Sequence, residues 1–251
     1  MKIKDKLKKI LPAGAVGLGT LLIVLNVSFI ANSGFFKQYK VKNDPKFDGI
    51  TEYLKHSDFD VPLTFPVDKN TPITIAVNNF SEADQLKVFE AIDSFDKISE
   101  NINFQISDGT NVSISSQINI YGNSTADVFG ENSRHLGCTS FTYNAYTGEI
   151  SYPVNIYVKP LDDYSFVTEY TLPYIIKHEL MHGFGFEDLY DQKYENQSIM
   201  YHEMNYNINI NDYTDLDKAN IQQLYDNKKI QVKRPTQFQI IYKKPEEYEM
   251  I

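Results

Sequence analysis

Cysteine occurs once in this 251-residue chain, at Cys138, so no disulfide can form within it. The fold must rest on packing, and on metal if one binds, whatever compartment holds it. Tryptophan is absent, which by itself excludes nothing: 18 Tyr and 16 Phe in a 42% apolar composition are ample for a core. A basic stripe is lacking as well. The net charge is −9, and the first ten residues set Lys2, Lys4, Lys6, Lys8 and Lys9 against Asp5 alone. Removing them takes 24 basic and 33 acidic residues to 19 and 32, so the remainder is near −13. An acidic body of this kind argues against nucleic-acid binding and is compatible with an exported domain. No internal repeat or low-complexity tract is present.

Charge is also missing from Leu11 to Ala31, a mostly apolar run long enough to span a bilayer as a helix. The lysine head should stay cytoplasmic, which places everything after Ala31 outside. The run is either an uncleaved signal-anchor or a signal peptide cut near Ala31-Asn32-Ser33. Its length favours the transmembrane anchor, although Gly14, Gly17 and Gly19 weaken it as a helix. A secreted product follows if it is cut. Residues 1–33 are thus a basic head plus leader. Residues 34–70 are polar, carry Pro45, Pro62 and Pro66, and show no sustained period, so they read as a stalk or short pro-segment.

From Thr71 the pattern becomes regular. Ile73, Ile75 and Val77 alternate as a strand. Ser81 with Asp84 reads as a capping box, opening a helix with Leu86, Phe89, Ile92, Phe95 and Ile98 as its apolar stripe. Ile102, Phe104 and Ile106 predict a second strand, Asp108-Gly109 a turn, and Ile114, Ile118 and Ile120 a third strand. Residues 121–136 read as loop, Gly137 to Tyr143 as a short strand, and 144–148 as a turn. Val154, Ile156 and Val158 predict another strand, with Pro153 at its start. A helix follows, capped by Thr168 or Thr171 with Pro173 in its first turn. Thr214 with Asp217 opens a last helix through Leu216, Ile221, Leu224 and Tyr225. The folded domain is therefore expected over 71–226, with a polar tail at 227–251 in which Phe238, Ile240 and Tyr242 alternate weakly.

Within that helix lies His178-Glu179-Leu180-Met181-His182-Gly183-Phe184-Gly185-Phe186-Glu187-Asp188. Histidines four apart project from one helical face, so both imidazoles can reach one metal ion, and zinc suits that donor. Two of only five histidines fall at this spacing around a glutamate. Glu179 can act as general base on a water beside the metal. Gly185 can end the helix and return the chain, letting Asp188 supply a third ligand. Glu187 and His202 are alternative third ligands, and Glu203 would be one in a glutamate-ligand arrangement of the thermolysin sort.

The extended motif, with Met200 twelve residues after Asp188 in Ser198-Ile199-Met200-Tyr201, resembles the metzincin clan of metalloproteases. The order of elements over about Thr71 to Asp226 resembles it too. The resemblance implies an α+β fold: a twisted mixed sheet with an antiparallel edge strand, an active-site helix, a Met-turn at Met200 and a C-terminal helix. Asp188 stands where a histidine is commonest, similar to snapalysin-type proteases. The Met-Tyr pair is similar to the matrixin turn, but His202 replaces the usual proline. The resemblance also implies structural calcium, for which Asp108, Asp127, Asp162 and Asp163 are candidates. Surface carboxylates are more often simply solvated.

These readings converge on a zinc-dependent endopeptidase with one catalytic Zn2+. His178, His182 and Asp188 are the ligands and Glu179 the base. A peptide or protein substrate would add to the 137–143 strand through main-chain bonds, near Gly137, Cys138, Thr139, Ser140, Tyr201 and His202. Cys138 is either a small buried residue or a thiol near the metal. A monomer is expected, tethered to the membrane if the leader is uncleaved, with no nucleic-acid partner. The competing class is a membrane-tethered, non-catalytic binding module with a structural zinc, which would have no need of Glu179. An intramembrane protease is disfavoured because Lys177, Glu187 and Asp188 flank the motif.

Overall fold

The computed structural model describes residues 50–107, 116–129, 135–161, 168, 170–203 and 212–227. The leader, the first part of 34–70, the turn at 108–109, Ile114 and the weak alternation at 238–242 lie outside them. So do the calcium candidates Asp108, Asp162 and Asp163 and the side chain of Asp127. Among the described residues no helix is long and apolar enough to cross a membrane.

Alternating apolar residues form β1 (Ile73–Asn78), β2 (Phe104–Ile106) and β3 (Ile118–Tyr121). β4 (Gly137–Tyr143) and β5 (Ile150–Val158) complete a sheet of order β2-β1-β3-β5-β4. Every pairing is parallel except β4 with β5, so β4 is an antiparallel edge strand. Three helices join the sheet: α1 (Glu82–Asp96), α2 (Leu172–Gly183) and α3 (Asp215–Tyr225). α2 packs on α1, β4 and β5. This mixed α+β arrangement, with its edge strand, motif-bearing helix and final helix, is consistent with the metzincin-like fold expected above.

Three details differ from the sequence reading. The buried face of α1 is Val88, Ala91, Ile92 and Phe95, while Leu86 is 63% exposed. A stripe stepping by three falls about 60° short of a turn each time, so its first member rotates off the face that its later members share. Residues Ala126–Phe129 form a single helical turn where loop was expected. β5 begins at Ile150, three residues before Pro153, because Thr142 and Tyr143 of β4 pair with Ser151 and Ile150.

The largest difference concerns residues 50–70. Within the expected stalk or pro-segment, Tyr53, Leu54, Leu63 and Phe65 are buried, none more than 2% exposed. The Lys55 N–H donates to the Gly185 carbonyl at 2.9 Å, and the Leu63 N–H to the Lys55 carbonyl at 2.8 Å. The Thr64 N–H donates to Gly148, and the Thr64 carbonyl accepts from Ile150, both at 2.9 Å. Phe65 stacks on Phe184, 4.8 Å between ring centres, and its N–H donates to the Tyr225 hydroxyl. This strap joins the β4–β5 turn to the chain leaving α2. Its partners are remote in sequence, which is why it shows no local period.

Candidate metal centre

Helix α2 starts from a pair of threonines. The Thr168 N–H donates to Thr171 Oγ1 at 2.8 Å, and the Thr171 N–H returns to Thr168 Oγ1 at 3.3 Å. Pro173 lies in the first turn, where its missing N–H costs nothing. One turn apart on one face of α2, the partly buried His178 and His182 bring their Nε2 atoms to 3.0 Å. Asp188 Oδ1 lies 3.2 Å from the first and 3.5 Å from the second. Donors about 2.0–2.1 Å from one ion at tetrahedral angles stand roughly 3.3 Å apart, so this triangle has the dimensions of a zinc tripod.

The tautomers agree with that use. His178 Nδ1 donates to the Ile199 carbonyl at 2.8 Å, and His182 Nδ1 to the Phe186 carbonyl at 2.9 Å. In the neutral imidazoles this leaves both Nε2 atoms as the acceptors on the triangle. Burial disfavours charge on His178, but the hydrogen bond and charge of Asp188 outweigh it and raise its pKa to about 9. Burial likewise opposes ionisation of Asp188, yet the two histidines hold its carboxyl well below the usual range. These shifts set a pH dependence. Without metal, His178 holds a proton at neutral pH, one that an ion on this triangle would have to displace. Zinc affinity is expected to climb about tenfold per pH unit from pH 7 towards 9, then flatten. Chelator competition at pH 7, 8 and 9 measures this, and a flat profile refutes the proton's place. The His178–Asp188 pair also stabilises the metal-free protein, fully between the ordinary carboxylate and imidazole ranges; that stability is lost as pH rises through about 9 and again as pH falls far enough to protonate Asp188.

Asp188 reaches the histidines because α2 stops one residue after His182. The Phe186 N–H donates to the Met181 carbonyl and the Gly185 N–H to His182, a Schellman ending with Gly185 at φ +92°. A Cβ on Gly185 would lie 2.0 Å from the Leu63 carbonyl oxygen, so the strap presses on this position as well. Beyond it, the Leu189 N–H donates to the Met200 carbonyl at 2.8 Å, and the Leu189 carbonyl accepts from the His202 N–H. The Met200 turn therefore braces the Asp188 loop, with the Met200 side chain fully buried.

That turn is itself tied down by Asp217, a fully buried carboxylate. Asp217 accepts from Ser198 Oγ at 2.5 Å and from the Ile199 N–H at 3.0 Å, while completing the capping box with Thr214 at the start of α3. Burial pushes its pKa up and these hydrogen bonds pull it down. The chain of contacts runs from α3 through Asp217 and Ile199 to His178. The Tyr174 hydroxyl adds a second donor to the Ile199 carbonyl at 3.0 Å. The Thr214–Asp217 pair is visible in the sequence as a helix start, but its second task is not.

Glu179 is 6% exposed, and one of its carboxylate oxygens lies within 4.8 Å of a ligand nitrogen of each histidine. Thr139 on β4 donates to its Oε2 at 2.7 Å. Gly137, expected near substrate, lies against the same carboxylate, where a Cβ would stand 2.6 Å from Oε1. Cys138 is half-buried, and burial and then the Glu179 charge push its thiol pKa up, Lys55 partly offsetting them. Ser140 is exposed on the same strand. Of the alternative ligands, Glu187 is exposed, and His202 packs its ring on Tyr190 and Tyr201 with Nε2 3.5 Å from Glu203. Glu203 is 72% exposed at its side chain.

No family model matches the chain, and no curated protein matches it. Two solved structures of myroilysin are similar in shape. One has a TM-score of 0.42 and 15% identity, covering 64% of this chain and 95% of that one. The other has a TM-score of 0.39 and 13% identity, covering 73% and 96%. Both scores are below 0.5, and no family is assigned from them.

Proposed function

We propose that this chain is a zinc-dependent endopeptidase acting on extracytoplasmic proteins or peptides. The observation that carries the reading is the triangle of His178 Nε2, His182 Nε2 and Asp188 Oδ1, with sides of 3.0–3.5 Å, beside the buried carboxylate of Glu179. Three protein donors, rather than four, are the complement of a catalytic zinc. When bound there, zinc supplies Lewis acidity to a water and to the scissile carbonyl.

The remaining steps belong to the chain itself. Glu179 takes the proton of the attacking water and later hands it to the leaving amine. Edge strand β4 offers main-chain groups on which an extended peptide can lie, with the carbonyl to be cleaved brought over the triangle. Gly137, Cys138 and Ser140 contribute through that edge, and Tyr201 and His202 border the far side of the Asp188 loop. The extracytoplasmic setting rests on the charge-free run Leu11–Ala31 behind the lysine head.

The test uses the full chain purified in detergent. One zinc per chain and cleavage of a quenched peptide library are expected, with cleavage lost to a chelator and restored by added zinc. Zinc bound at one per chain with no peptide cleaved would instead identify a binding module.

A further inference from the structure

We propose that Thr139 is a positioning residue for Glu179: its hydroxyl holds Oε2 so that Oε1 is the oxygen that receives the water's proton. The proposal rests on the peptidase reading above and assigns a division of labour between the two oxygens of the base. Thr139 Oγ1 lies 2.7 Å from Glu179 Oε2 and 2.9 Å from the Glu179 main-chain carbonyl. Both are acceptors and the hydroxyl has one proton, which it shares between them with Oε2 the nearer. A hydrogen bond to a carboxylate at this length is of the strong, charge-assisted kind.

The other oxygen is placed by an absence of atoms. A Cβ at Gly137 would come within 2.6 Å of Oε1, 2.7 Å of the Glu179 Cγ and 2.8 Å of Ile175 Cγ2. The Glu179 side chain thus fills the space that a residue at 137 would take. Residues 137 and 139 share one face of β4, and the register with Val158 and Ile156 of β5 fixes both. One strand therefore grips the carboxylate twice. A long, flexible side chain is thus restricted, with Oε2 held by the Thr139 hydroxyl and Oε1 set against Gly137. As water's O–H bond breaks, the proton goes to Oε1 and the oxygen's electron pair goes to the carbonyl carbon. A misplacement of about 1 Å in such a base can cost about a hundredfold in rate.

The hydroxyl's bond to the helix carbonyl offers a competing account, in which Thr139 only packs β4 onto α2. Two variants of the zinc-loaded full chain separate them. Thr139→Val keeps the shape and removes the donor, and is expected to lower kcat by about 10- to 100-fold. KM should stay within about twofold and zinc at one per chain. Thr139→Ser restores the donor and should lie within about threefold of wild type. Equal loss in both variants, or full activity in Thr139→Val, overturns the proposal. A second readout needs no turnover. Thr139→Val should lower the melting temperature of the wild-type chain, but by less than half as much in a Glu179→Ala background. An equal drop in both backgrounds overturns the contact with Oε2. If wild type itself cleaves no peptide, the peptidase reading fails, and the melting cycle still decides what Thr139 holds.

Discussion

Glu179→Gln is expected to keep one zinc per chain while losing about 10²–10⁴-fold in kcat, the span associated with a positioned general base. The geometry makes this substitution unusually clean. The Gln carbonyl oxygen can replace Oε2 as acceptor for Thr139, and the amide can occupy the space over Gly137 now filled by Oε1. His178, His182 and Asp188 keep their triangle, because Glu179 makes none of its sides and contributes only its charge beside His178. What disappears is the basic lone pair. Metal analysis and peptide hydrolysis on the same preparation form the measurement, and retention of more than a tenth of the activity rejects the role.

Gly185→Ala is expected to disrupt both the fold and the site. A side chain at φ +92° costs ~1–2 kcal/mol by itself. The added Cβ would also lie 2.0 Å from the Leu63 carbonyl oxygen and 2.7 Å from its carbon, backbone that cannot rotate away. Relief requires the strap to part from the end of α2, which strands the Lys55–Gly185 hydrogen bond and uncovers Leu63 and Phe65. A total near ~3 kcal/mol is reasonable for overpacking plus strain. In a domain of this size that lowers the melting temperature by roughly 6–12 °C. Zinc affinity should fall with it, since Asp188 follows three residues later on the displaced loop. Calorimetry with and without zinc tests both, and a melt within 2 °C of wild type would refute this account of Gly185.

These two positions also show what a sequence can and cannot disclose. His178, Glu179 and His182 are legible because a helix converts a four-residue spacing into proximity. Gly185 and Asp188 are nearly as legible, since only a short reversal separates them from the helix. The strands at 73–77 and 154–158 announce themselves by alternation, and α3 by its Thr214 cap. Thr139 is different. The sequence places it on an edge strand, but its partner lies 40 residues away on a helix, and only the packing of α2 on β4 joins them. Asp217 reads as a helix cap, and nothing local reveals that it also holds Ser198 and Ile199. The strap is the extreme case. Tyr53, Leu54, Leu63 and Phe65 are apolar residues without rhythm, made meaningful by surfaces that come much later in the chain.

That delay has a consequence for biogenesis. Lys55 is synthesised 130 residues ahead of Gly185, the carbonyl it binds. At ribosomal speeds of about 5–20 residues per second, that carbonyl emerges roughly 6–26 s after Lys55. Until Phe184 and Phe186 are made, Phe65 lacks its stacking ring and Leu54 its bridge partner, and the strap cannot close fully. On the extracytoplasmic reading proposed above, late closure of this strap would keep the chain threadable until translocation.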